Sequence, residues 1–149
     1  MIYQEVEQIL SEENGYEKVL SQLSETFVRI EEVSEQLKDG AFSDGESVSK
    51  LLLEATGYWD QLNVVYSTLD TIKTKKELGY YHNEKIKVDA DPKAKFVDGA
   101  TKQEASNSVQ DERRVRNIVK AYLDSCEKNI MASQSYLKYL TESAKRIQS

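Results

Sequence analysis

From Thr101 to Ser149 the chain has no proline and no glycine. Apolar residues return every three or four positions: Ala105, Val109, Val119, Leu123, Cys126, Ile130, Leu137, Leu140, Ala144 and Ile147. This period predicts an amphipathic helix. Glu112, Arg116 and Ser133 fall on the same lattice, so polar groups interrupt the stripe. Thr101, three residues before Glu104, reads as a capping box that starts the helix. A helix of about 47 residues would be about 70 Å long. Alone it would leave its stripe wet, so it must lie along another long helix, of its own chain or of a second one.

The rest of the chain supplies such partners. Residues 2–12 carry Ile2, Val6, Ile9 and Leu10 on one side, and Asn14-Gly15 breaks the helix. The pattern resumes at Tyr16 with Leu20, Leu23, Phe27, Ile30 and Leu37, Val33 beside them, and stops at Asp39-Gly40. Phe42 is expected to tuck back onto the core, and Ser43 or Asp44 to cap the next helix. That third stretch shows Val48, Leu52, Ala55, Trp59, Leu62, Tyr66 and Leu69, flanked by Leu51, Val65 and Ile72. Helical spacing fades at Gly79. Ile86, Val88, Phe96 and Val97 then flank Asp89-Ala-Asp-Pro92, which reads as an irregular connection or a small β-hairpin over residues 80–100. The expected architecture is one elongated all-α domain over residues 1–149. Acidic N-terminal helices (2–38) pack on a long antiparallel, coiled-coil-like hairpin (46–78 and 102–148) whose tip is residues 79–101. Stripes this long are expected to continue into a second copy, giving a homo-oligomer.

Composition narrows the class. One proline and six glycines in 149 residues leave too few turns for an all-β chain. Cys126 has no partner for an internal disulfide and sits on the apolar stripe, as a small core residue does. No apolar run approaches 18 residues and no basic-then-apolar leader opens the chain, so a soluble, cytoplasmic protein without a membrane segment is expected. The net charge of -6 conceals a split. Residues 1–60 hold 14 acidic and 4 basic residues, whereas residues 61–149 hold 12 and 16. Two surfaces with different partners, or one end packing on the opposite end of a neighbour, would use such a split.

Candidate chemistry is sparse. The one histidine, His82, has no HxxxH, HExxH or CxxC companion, and no glycine-rich phosphate loop exists. The carboxylates follow helix-surface spacing, and no serine has an evident general base. The expectation is a non-enzyme without metal or cofactor. The informative stretch is basic and aromatic: Lys73, Lys75, Lys76, Tyr80, Tyr81, Lys85 and Lys87, continued by Lys93, Lys95 and Phe96. Lysines neutralise phosphates and aromatic planes stack on unpaired bases, the combination used on single strands. Glu77, Glu84, Asp89, Asp91 and Asp98 dilute the field. A second basic group, Arg113, Arg114, Arg116 and Lys120, would approach Lys73, Lys75 and Lys76 in an antiparallel hairpin.

The run Lys75–Tyr81, ending a long helix before a basic loop and a long C-terminal helix, resembles the UvsY-type recombination mediators of T-even-like phages over roughly residues 50–149. Lys75 corresponds to the family's basic position, and Tyr80 and Tyr81 to its aromatic pair. Glu77 stands where the family tends to carry a second basic residue, and the family's C-terminal aromatic-glycine ending is absent. The resemblance implies a helical oligomer that binds single-stranded DNA and helps a RecA-like recombinase displace the single-strand-binding protein. For a phage protein the setting would be the host bacterial cytoplasm. The competing reading, favoured by the acidic first 60 residues, is a coiled-coil structural or adaptor protein, for instance in virion assembly, with no nucleic-acid role.

Overall fold

The two longest apolar stripes lie against each other. The computed structural model describes residues 3–40, 42 and 44–148. In it α3 (Gly45–Ala90) and α5 (Gln110–Gln148) pack along most of their length. They run antiparallel: Arg116 reaches Asp70 at 2.8 Å, the Trp59 indole N–H donates to Glu127 at 3.2 Å, and Gly45 faces Leu137. The third side is closed by α2 (Gly15–Asp39), parallel to α5. Phe27 stacks on Tyr122 at 4.0 Å, Ser34 donates to Asn129 at 3.1 Å, and Tyr122 donates to Glu31 at 2.6 Å. The Arg29 guanidinium grips the Glu54 carboxylate of α3 with two nitrogens, both at 2.7 Å. The short α1 (Tyr3–Ser11) folds back over α2 and α3, and α4 (Asp98–Asn107) leans on the far end of α3. Among the described residues every regular element is helical, and no helix is long and apolar enough to cross a membrane.

Three helices meeting along one line explain the core. Leu23 and Ile30 of α2, Leu62 and Leu69 of α3, and Val119 and Leu123 of α5 are buried together. Each such side chain contributes about 1.5–3 kcal/mol when removed from water. Cys126 is fully enclosed here; burial first, then the Glu127 charge, pushes its thiol up to about 11. The buried stripe of α3 is turned from the expected one. Leu51 and Val65 are buried while Leu52 and Tyr66 are only half-buried, because α3 faces α2 as well as α5. Likewise Val115, absent from the expected α5 lattice, is fully buried.

Backbone punctuation follows local chemistry. Asn14 takes the left-handed conformation at φ 56°, and a Cβ on Gly15 would sit 2.7 Å from the Leu10 Cα, so the α1–α2 elbow requires glycine there. Gly40 ends α2 at φ 64°. Asp44 caps α3 by accepting the Ser47 N–H at 2.8 Å, a bond that holds its carboxyl below the usual range. Ile2 and Ser43 lie outside the described residues.

Three expectations need correction. Residues 80–90 are neither irregular nor a β-hairpin: α3 continues through Gly79 to Ala90, and only residues 91–97 are non-helical. A helical glycine costs only about 1 kcal/mol. Ion pairs of Lys73 with Glu77 and of Glu84 with Lys87, at 3.3 and 3.1 Å, span the turns on either side of it. Thr101 is not a cap. The helix starts at Asp98, and the Thr101 hydroxyl donates to the Val97 carbonyl at 3.0 Å. The expected continuous 102–148 helix is broken at Ser108-Val109 into α4 and α5, without glycine or proline.

Beyond Ser133 no residue of α5 is fully buried; Tyr139 is 64% and Ile147 86% exposed. Leu62→Ala is therefore expected to cost about 2–5 kcal/mol, and Ile147→Ala within about 0.5 kcal/mol of nothing. Urea unfolding of the two variants checks this; equal losses would contradict the packing.

Candidate nucleic-acid interface

Arg113, Arg114 and Arg116 fall within one turn of α5, but about 100° per residue fans their side chains apart. The Arg113 guanidinium donates to the Ser106 carbonyl at 2.8 Å and to its hydroxyl, satisfying a carbonyl left open where α4 ends. Arg114 pairs with Glu17 of α2. Arg116 pairs with Asp70 of α3. The sequence cluster is thus a set of three ties to three different helices. Lys120 pairs with Asp124 on its own helix. The structure does not bring this second basic group together with the tip lysines into one surface.

Lys76 is likewise paired, although its side chain stays 59% exposed. Its ammonium bonds the Glu112 carboxylate, which is only 3% exposed and also accepts from the Tyr16 hydroxyl. Burial alone would raise the Glu112 carboxyl. The bonds from Lys76, from its own backbone and from Tyr16, with the Lys76 charge, outweigh burial and hold it below its usual range. Burial and the same carboxylate push the Tyr16 phenol far up. One buried carboxylate therefore joins α2, α3 and α5 at the base of the tip.

Beyond this junction α3 and α4 project as a pair. Residues 73–102 hold eight lysines against five carboxylates, a positive end on an acidic molecule. Part of that charge is neutralised locally: Lys73 by Glu77 and Lys87 by Glu84 on α3, Lys102 by Asp98 at 2.9 Å on α4. Lys75, Lys85, Lys93 and Lys95 are exposed and make no ion pair among the described residues. Both tyrosines turn toward α4. The Tyr81 hydroxyl donates to Asp98 at 2.5 Å, which raises the phenol and lowers the carboxyl. Tyr80, raised by burial and by the Glu104 and Glu84 charges, reaches Glu104 at 3.4 Å. Edge contacts from Phe96 at 5.9 Å and His82 at 5.6 Å fix the Tyr81 ring. Tyr81 also borders a cleft of about 400 Å³ between α3 and α4, with Lys73, Thr74, Glu77, Leu78, Lys102 and Ala105.

No family model, no curated protein and no solved structure matches this chain. The site therefore has to be read from its own geometry. Of the ten residues nominated in sequence, Lys73, Lys75, Tyr80, Tyr81, Lys85 and Lys87 gather on the projecting end of α3. Lys76, Arg113, Arg114 and Arg116 are engaged in holding the bundle. Lys102 belongs to the site and was missed. Its spacing of four from Asp98 was a usable signal only if the helix had been started at Asp98 rather than Thr101.

Lys76→Ala leaves Glu112 buried without its cation. At neutral pH it is expected to lose about 1–3 kcal/mol. The sign with pH follows from the depressed carboxyl. The stabilisation is present above the unfolded glutamate pKa and is lost as pH falls through the lower folded one. Without Lys76, burial raises the same carboxyl, so the variant's deficit shrinks below about pH 4. Urea midpoints of both proteins at neutral and acid pH test this; a pH-independent gap would count against the junction.

Proposed function

We propose that the protein is a non-enzymatic, helical single-strand-binding accessory factor that presents its α3–α4 tip to unpaired DNA. The observation that carries this reading is the exposure, without ion pairs among the described residues, of Lys75, Lys85, Lys93 and Lys95 on the end of α3 and the loop after it, the same end of an acidic molecule that holds an aromatic-edged cleft between α3 and α4. Lysines give sequence-independent attraction to phosphates, and an aromatic beside them selects strands whose bases are unstacked. The negative bundle repels the strand elsewhere, which confines contact to the tip and makes affinity modest and salt-sensitive. The likeness of Lys75–Tyr81 to UvsY-type mediators supports a role in exchanging a single-strand-binding protein for a RecA-like recombinase in a bacterial cytoplasm.

A second reading rests on a different observation. The last turns of α5 expose Tyr139 and Ile147, and an apolar groove lined by Ala132, Ser135, Tyr136 and Tyr139 runs beside them. This face suits a protein contact, either self-association or an adaptor role.

A salt series of fluorescence anisotropy on a labelled oligonucleotide separates the two. The Lys75→Ala, Lys85→Ala double variant is expected to lower the slope of log affinity against log salt by about one to two units. Arg114→Ala is expected to leave that slope unchanged, because Arg114 lies beside Glu17 and Asp111 on the bundle, away from the tip. No binding at low salt, or a slope indifferent to the lysines, would remove the single-strand reading and leave the protein-contact reading standing.

A further inference from the structure

We infer that the cleft between α3 and α4 seats one base of the bound strand. The inference rests on the single-strand reading above and sharpens it to a named site. The cleft holds about 400 Å³, within the range of small-ligand pockets, about 300–1,000 Å³, and enough for one nucleotide. Its apolar lining is Leu78, 53% exposed, with Ala105 of α4. Tyr81 forms one wall, its ring held by Phe96 and its hydroxyl by Asp98, so it meets a ligand without losing further freedom.

Charge selects the occupant. Lys73 on α3 and Lys102 on α4 stand on opposite helices at the cleft, against a single lining carboxylate, Glu77. The Lys102 side chain is 67% exposed, and its bond to Asp98 is a surface pair worth little in water. It can turn to a phosphate at small cost. Exposed Lys75 and Lys85 on the same segment of α3 attract the neighbouring phosphates. A base on the apolar lining with its phosphate toward Lys102 uses the cleft's apolar wall and its exposed cation, with Lys73 held beside Glu77. A duplex offers no such base.

The test compares a thymidine oligonucleotide with an abasic oligonucleotide of equal length, on the unaltered full-length chain and on Thr74→Phe. Thr74 is exposed and lines the cleft, so phenylalanine fills the space without entering the core. The unaltered chain should prefer the thymidine strand by about tenfold, the effect of one stacked base. Thr74→Phe should bind both strands alike, at the affinity the unaltered chain shows for the abasic one. Circular dichroism checks that the variant is folded, and Leu78→Glu, also at an exposed position, gives a second reading of the same quantity. A preference that survives both substitutions would place the base elsewhere and overturn the inference while leaving tip binding intact. No preference in the unaltered chain would overturn it in favour of phosphate contact alone. If neither strand binds, the single-strand reading itself falls, and the seat with it.

Discussion

The buried carboxylate of Glu112 is the constraint around which the rest is arranged. Apolar stripes alone set register weakly, because one turn of a heptad-like pattern resembles the next. Glu112 cannot be moved by a turn without leaving a carboxylate in the core facing neither the Lys76 ammonium nor the Tyr16 hydroxyl. Its bonds therefore fix where α2 and α3 meet α5. Arg114 to Glu17 and Arg116 to Asp70, the next turn along, are consistent only with that same register. The junction also divides the molecule. On one side three helices enclose a core; on the other, α3 and α4 continue as a two-helix projection with exposed lysines.

The proposed function follows from how positive charge is distributed across that division. Within the bundle Arg29, Lys76, Arg114 and Arg116 tie helices together and Arg113 caps a loose carbonyl, while Lys38, Lys128, Lys138 and Lys145 stay exposed along it. The projection has more lysines than carboxylates to meet them, so the surplus faces water. A strand of DNA approaching a molecule of net charge -6 would be repelled by most of its surface and drawn to one end. The opposite end, where α5 outruns its neighbours, exposes apolar side chains instead. The two ends thus differ in chemistry, one cationic and one apolar.

Much of the fold was legible because buried leucines and valines recur with the helical period. Leu23, Ile30, Leu62, Leu69, Leu123 and Cys126 are where that period puts them. What escaped depended on contacts between distant residues. Gly79 looked like a stop, but α3 is held through it by its own ion pairs and by Tyr81 reaching α4. Ser108-Val109 looked helical, yet the chain breaks there, and Arg113 from the next helix donates to the Ser106 carbonyl beside the break. The site was half legible. Lysine and tyrosine identity marked the tip, whereas the fate of each charge depended on which carboxylate faced it. Arg113, Arg114 and Arg116 were adjacent in sequence, and the angular step of a helix, applied to them, separates them.

The central claim is that a polyanion meets this chain at the projecting tip, where Lys75, Lys85, Lys93 and Lys95 stand exposed without ion pairs among the described residues. Lysine-reactivity footprinting by brief acetylation, with and without a thymidine oligonucleotide at low salt, addresses it residue by residue. The account predicts that the oligonucleotide protects Lys75, Lys85, Lys93 and Lys95, and leaves the reactivity of Lys18, Lys38, Lys50 and Lys138 unchanged. Protection centred on the bundle, or spread evenly over all lysines, would contradict it.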